Sequence, residues 1–347
     1  MAKESANKGI MSYLRSKEIY LSPRVYFIDA MGAMAFGLFA SLLIGTIFST
    51  VNDWTNIAFF GTLADYAKKA TGAALGLSIA YSLRCPPLVL YTCAAVGFAG
   101  NDLGGPVGAY CATLIAAELG KLISKETKVD IILTPAVTLM SGVAIAVWVG
   151  PYISKLMTAF GQLIMSATEM QPLLMGAVVA MLVGIALTLP ISSAAICIML
   201  GLAGTAAGAA TAGCCAQMVG FAIMSFSDNG WGGLAAQGLG TSMLQMPNIV
   251  RRPVVWLPPI LTSAITGALA TTVFGLENIP AGAGMGTCGL VGPLGIITAM
   301  PEGGWKMWTG IILICFVLPA LLTPLFAWPM RKLGWIREGD LLLDTGN

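Results

Sequence analysis

The chain has 347 residues, of which 57% are hydrophobic and 10% charged, with a mean hydropathy of +0.83. Soluble domains carry about 25% charged residues, so the composition excludes an ordinary water-soluble globule; a net charge of +2 is uninformative by itself, and no nucleic-acid partner is expected. Histidine is absent, which removes a Ser-His-Asp triad, a Cys-His pair and any His-containing zinc site.

In chain order, residues 1–24 read as a polar, basic arm carrying Lys3, Lys8, Arg15, Lys17 and Arg24. Its second half, 11–20, predicts an interfacial amphipathic helix. The arm has no apolar core ending in a cleavage site, so no cleavable signal is expected. A first span fits 25–48, with Asp29 near its start. Residues 54–69 mix aromatics with Asp65, Lys68 and Lys69 and predict a short helix at the opposite interface. Apolar segments follow at 71–83, 86–99 and 105–123, the last two separated by Asn101-Asp102-Leu103-Gly104-Gly105-Pro106.

After a basic loop with Lys121, Lys125 and Lys128, spans are predicted near 130–150 and 172–190. Beyond Pro190, segments 191–211 and 212–226 supply further apolar length. A glycine-rich break covers 228–240, and a basic loop surrounds Arg251 and Arg252. A span near 254–275 precedes a second break at 277–295, and a last span runs about 306–328.

Five runs, 30–52, 131–154, 170–227, 253–276 and 307–330, contain no Asp, Glu, Lys or Arg. A spanning helix needs about 20 apolar residues, so the chain reads as an all-α polytopic membrane protein with about eight to ten spans. A transmembrane barrel would alternate over segments of about ten residues, and no such alternation is present. The four basic clusters fall on the cytoplasmic side by the positive-inside tendency, which places both termini there. The organisation is a cytoplasmic arm (1–24), one transmembrane domain (25–329) and a cytoplasmic tail (330–347).

Eight cysteines sit mostly in apolar segments and lack CxxC spacing, so they read as small buried hydrophobes rather than disulfides or metal ligands. No metal, cofactor or autonomous catalytic centre is expected. Gly284-Met285-Gly286-Thr287-Cys288-Gly289 matches GxGxxG, but that fingerprint needs a preceding strand and a βαβ unit. It reads instead as a tight bend exposing backbone amides.

Two glycine-rich stretches each hold an acid–asparagine pair, Asp228-Asn229 and Glu277-Asn278. A lone carboxylate at membrane depth is costly and persists where it faces a cavity, a partner or a substrate. Glycine and proline beside it imply non-helical backbone, tolerated only where it is buried in protein or lines a cavity. Glu277 is the first candidate for a ligand contact, because a carboxylate accepts hydroxyl hydrogen bonds and also carries a proton. Asn278, Asp228 and Asn229 complete the polar set. Trp231 offers a face for stacking on a sugar, or an interfacial anchor. Gly282, Gly284 and Gly286 supply loop amides. These pairs also hint at an internal repeat with Asn101-Asp102, as in transporters with duplicated halves.

The stretch Gly238-Leu239-Gly240-Thr241-Ser242-Met243-Leu244-Gln245-Met246-Pro247-Asn248-Ile249, followed by Glu277-Asn278-Ile279-Pro280-Ala281-Gly282-Ala283-Gly284-Met285-Gly286-Thr287, resembles the membrane IIC component of bacterial phosphotransferase systems. It is most similar to the stand-alone branch labelled IIC-like or toxin-regulator-like, and Asp130-Ile131-Ile132-Leu133-Thr134-Pro135 fits that branch too. The resemblance implies a homodimer of about ten-helix protomers in the inner membrane, with two re-entrant hairpins framing the substrate. It also implies an elevator-like transport domain, sugar contact by the acid at Glu277, and phosphorylation by separate IIA and IIB subunits. The chain departs from the sugar-specific pattern in having no histidine for the site and no fused IIA or IIB domain. The expected function is transport of a small polar solute, a sugar or polyol. Two alternatives stand beside it: a proton- or ion-coupled transporter on the same fold, and a membrane ligand sensor that does not transport.

Overall fold

In the computed structural model, which describes residues 12–343, the charge-free runs are mostly helical. A helix satisfies its own N–H and C=O groups, which water cannot do inside a bilayer. Lys3, Lys8 and Met11 of the arm, and residues 344–347 of the tail, lie outside the described residues. The helices in chain order are α1 (Val25–Asn52), α2 (Ala58–Lys69), α3 (Thr71–Ser82), α4 (Pro87–Ile123) and α5 (Asp130–Thr168). They continue with α6 (Pro172–Thr188), α7 (Ser193–Met199), α8 (Gly204–Met224), α9 (Phe226–Ala235), α10 (Met246–Arg251) and α11 (Pro253–Phe274). The last are α12 (Pro280–Ala283), α13 (Val291–Ala299) and α14 (Gly304–Lys332).

Among the described residues, six of these runs (α1, α4, α5, α8, α11 and α14) are long and apolar enough to cross a membrane. One of the six is not straight. In α4, Gly104 (φ −148°, ψ 18°) and Gly105 (φ 62°, ψ −160°) leave the helical region. A Cβ on Gly108 would lie 2.3 Å from the Gly100 carbonyl, and one on Gly120 would lie 2.9 Å from Val89. Residues eight apart on a straight helix are about 12 Å apart, so α4 is a helical hairpin. Its turn is the Asn101–Pro106 stretch that the sequence places between two apolar segments.

One predicted span and one predicted apolar segment change shape. The segment near 130–150 is the start of a 39-residue helix, about 58 Å long against a hydrocarbon layer of about 30 Å; Lys155 does not end it. The segment 191–211 is divided, because Gly201 (φ 61°) and Gly204 (φ 66°) turn the chain between the seven-residue α7 and α8.

The chain forms two compact units. The first holds residues up to Leu42 and Tyr66–Ser154. There the arm is pinned: Tyr13 donates to the Leu122 carbonyl (3.0 Å), and Lys17 donates to the Ser124 carbonyl (2.6 Å) and pairs with Glu126. Lys121 is 2% exposed and donates to the carbonyls of Glu18 and Leu83, both at 3.0 Å, while pairing with Glu118 at 3.1 Å.

The second unit holds Leu43–Asp65 and Lys155–Asn347. Its axis is α8, whose Gly, Ala and Cys residues are almost all buried. Small side chains let neighbouring backbones approach: a Cβ on Gly213 would sit 1.9 Å from the Ala180 carbonyl of α6. From α11, Ser263 donates to the Gly213 carbonyl, and from α14, Thr323 donates to Thr262 (3.0 Å).

Candidate functional site

The site grows out of two segments that leave the helical bundle and return, both in the second unit. The first is 226–251. At its start, Gly230 (φ 57°, ψ −155°) occupies a backbone region that is essentially glycine-only, and the chain reverses there. Residues 236–240 then run back along α8, with Gly238 opposite Ala222, and Gln237 donating to Ser225 Oγ (2.8 Å) and the Gly233 carbonyl (3.0 Å). Ser242 reaches Thr188 Oγ1 at 2.8 Å. α10 then carries the chain out to Arg251 and Arg252.

The second segment is 277–299. It enters beside the first turns of α8, where Asn278 and Gly204 exchange two backbone hydrogen bonds of 3.1 Å. Gly284 passes Ser193, whose hydroxyl donates to the Gly284 carbonyl (2.7 Å). Gly286 has φ 53°, and a Cβ there would lie 2.8 Å from Cys214, so both the backbone angle and the close approach require glycine. After a tip at Gly289 and Leu290 (φ 52° and 61°), α13 returns. A left-handed leucine is a strained position of the kind held only by its surroundings.

The two segments enter from opposite ends of α8, and their tips meet. Thr287 Oγ1 donates to the Gly238 carbonyl (2.5 Å) and approaches Met218 Sδ (3.6 Å), beyond the midpoint of α8. Next to this junction lies a buried polar network. Gln217 Oε1 accepts from Trp256 Nε1 (3.0 Å) and Thr188 Oγ1 (3.2 Å), while Gln217 Nε2 donates to Ser263 Oγ.

The acid–asparagine pairs lie at the mouths of the segments, not at the tips. Asn278 is 1% exposed; its Nδ2 donates to Thr211 Oγ1 (2.6 Å) and the Gly292 carbonyl (3.0 Å), and its Oδ1 accepts from Ile279 N–H (2.7 Å). Asn229 is anchored at the far end of α8: it donates to the Ser225 and Leu341 carbonyls and accepts from Leu343 N–H. Thr211 and Ser225 are roughly 20 Å apart along α8 at 1.5 Å per residue. One small solute therefore cannot touch both pairs at once.

Glu277 is exposed, and its backbone N–H points at Met300 Sδ (3.2 Å). Asp228 is half-buried and accepts from Ser227 Oγ (3.2 Å). Neither acid belongs to the salt bridges found among the described residues. Trp231 is 77% exposed, with its ring edge-on to Phe226 at 5.2 Å. Gly284 packs closely on the Ser193 backbone, whereas Gly282 lies against the Asn278 side chain, a Cβ there falling 2.5 Å from Asn278 Oδ1.

Sequence reasoning passed over the uncharged amides. Gln217, Gln237 and Gln245 are fully buried and Asn248 nearly so. Their signal was present: a lone amide inside an apolar run faces the same desolvation argument as a carboxylate. The cysteines are all free, and six of the eight are buried. Cys85, in the short connection before α4, has its thiol pushed up to about 12 by burial.

A family model described as phosphotransferase system, EIIC, matches residues 28–343. Comparison with curated proteins gives no match, and comparison with solved structures gives none. The family match covers both glycine-broken segments, five of the six membrane-length runs in full and the first from residue 28 on. The chain belongs to the phosphotransferase system EIIC family and is a multi-pass membrane transporter of that type.

Proposed function

We propose that this chain moves a small polyhydroxylated solute, a sugar or polyol, by alternating access between the mouths of the segments 226–251 and 277–299. The observation that carries the reading is the contact of their tips, Thr287 to the Gly238 carbonyl. Two re-entrant hairpins that enter from opposite ends and touch close a barrier between two openings. Irregular backbone at that depth is tolerated only inside protein or against a cavity.

At one mouth the exposed Glu277 carboxylate accepts solute hydroxyls, with Asn278 holding the hairpin base and Gly282, Gly284 and Gly286 allowing the loop to pack. At the other mouth Asp228, Asn229 and Trp231 play the corresponding part, Trp231 by stacking. That second mouth lies beside Arg251, Arg252 and Arg331, so the positive-inside tendency assigns it, with both termini, to the cytoplasm of a bacterial cell. Phosphorylation falls to separate IIA- and IIB-type subunits. A homodimer of about ten-helix protomers working as an elevator, with residues 1–24 as arm, 25–329 as the IIC-like transmembrane domain and 330–347 as tail, completes the reading.

The test is uptake of radiolabelled sugars and polyols into proteoliposomes containing the purified chain, with cytoplasmic phosphotransferase components supplied inside. Uptake of a subset, reduced at least tenfold in Glu277→Gln, is expected. Binding without flux across the whole panel would move the protein to the sensor class.

A further inference from the structure

Beyond Lys332 the chain makes turns and then runs without helix or strand to Leu343, yet its last described residues are among the best-held in the second unit. Leu341 is fully buried and Leu343 is 8% exposed. The backbone between them is held by side-chain amides. The Leu341 carbonyl accepts from Asn229 Nδ2 (2.8 Å) and Gln245 Nε2 (3.0 Å). The Leu342 carbonyl accepts from Asn248 Nδ2 (2.9 Å), and Leu343 N–H donates to Asn229 Oδ1 (2.7 Å). Asp340 adds an ion pair with Arg252 at 2.6 Å.

The amides are chained to one another. Asn248 donates to Gln245, and Gln245 to Gln237, each at 2.8 Å. Every amide in the row belongs to the glycine-broken segment 226–251. The row therefore reads backbone, as a β-strand edge does, while two leucines and one acid supply the side-chain recognition.

We propose that residues 340–343 are a releasable strap, a self-ligand that clamps the segment 226–251 and restrains it from moving. Two features argue for release rather than permanent packing. Its ion pair is partly exposed, with side chains 31% and 21% accessible. Its hydrogen bonds go to side chains that water or a polyhydroxylated solute also satisfies. The docking stands on these contacts alone; only its consequence for flux rests on the transport reading above.

The experiment compares the full chain in lipid nanodiscs with a variant ending at Ile336, by hydrogen exchange and mass spectrometry. The truncation is expected to speed amide exchange in 226–251 at least tenfold. A synthetic peptide of residues 337–343, Arg-Glu-Gly-Asp-Leu-Leu-Leu, restores the slow exchange saturably. Arg252→Ala or Asn248→Ala in the truncated chain weakens the peptide about tenfold or more.

Unchanged exchange on truncation, or a peptide without effect, overturns the proposal. Should the truncated chain fail to stay monodisperse, Asp340→Arg in the full chain sets two cations together; faster exchange in 226–251 supports the strap, and exchange equal to the parent overturns it. Flux read in the same samples separates the two claims: strap behaviour as described, without uptake in any variant, upholds the strap and counts against transport.

Discussion

Asn278 and Glu277 are neighbours in sequence with opposite physical situations, and exchanging each for alanine separates a structural from a solute-binding role. Asn278→Ala removes bonds to Thr211 Oγ1 and the Gly292 carbonyl and the acceptor for Ile279 N–H. The residue is 1% exposed, so water does not replace the lost partners. A buried group left unpaired costs about 1–3 kcal/mol. The Gly292 carbonyl lies within α13 and keeps its helical acceptor role, so Ile279 N–H is the group left orphaned and the loss comes to about 1–3 kcal/mol. At roughly 2–4 °C per kcal/mol for a unit of around 200 residues, the melting midpoint should fall by about 5 °C. Glu277→Ala touches an exposed side chain outside any salt bridge among the described residues. It should stay within about 0.5 kcal/mol of the parent while losing solute binding. The assay is thermal unfolding in detergent followed by a thiol-reactive fluorogenic dye, since Cys214, Cys215 and Cys288 are buried. Equal midpoints for the two variants, or a larger fall for Glu277→Ala, would refute the division of roles.

Gly230→Ala tests backbone conformation without steric confusion, because nothing lies within 4 Å of the added Cβ while φ is 57°. A loss of about 1–3 kcal/mol is expected in the same dye assay, and an unshifted midpoint would show that the reversal does not need glycine. The N-terminal arm should respond to acid. The hydrogen bond and charge of Lys17 hold the Glu126 carboxyl below its ordinary value. A depressed folded-state value means that the arm's docking is fully supported above the usual glutamate range, about 4.3. That support is lost as pH falls through the lower folded value. Amide protection over 12–19, corrected for the pH dependence of intrinsic exchange, should thus be flat from neutral down to about pH 4 and fall below it. In Glu126→Gln that acid step should be absent.

Much of the helix map was legible because a bilayer makes one demand on every spanning segment, about 20 apolar residues with their own hydrogen bonds satisfied. The runs 30–52, 253–276 and 307–330 therefore fall within α1, α11 and α14, or reach a few residues past their ends. The stretch Asn101–Pro106 was legible as a break because paired glycines followed by proline do not continue a helix. The length of α5 was not, since local composition does not mark where a helix stops once it outruns the about 20 residues that a span needs.

The sequence by itself determined the membrane class, the breaks at Asn101–Pro106, 228–240 and 277–295 though not the one at Gly201–Gly204, and the family, all of which rest on local composition and contiguous motif. Only the tertiary structure decided what the polar residues do. Asp228-Asn229 and Glu277-Asn278 look equivalent along the chain, yet they sit roughly 20 Å apart along α8. The glycine tips meet in their place, and Asn229, Gln245 and Asn248 turn out to hold the chain's own tail. Which partner a buried amide finds is set by which helix faces pack together, through contacts spanning up to 114 residues of sequence. Local pattern carries no record of such distances.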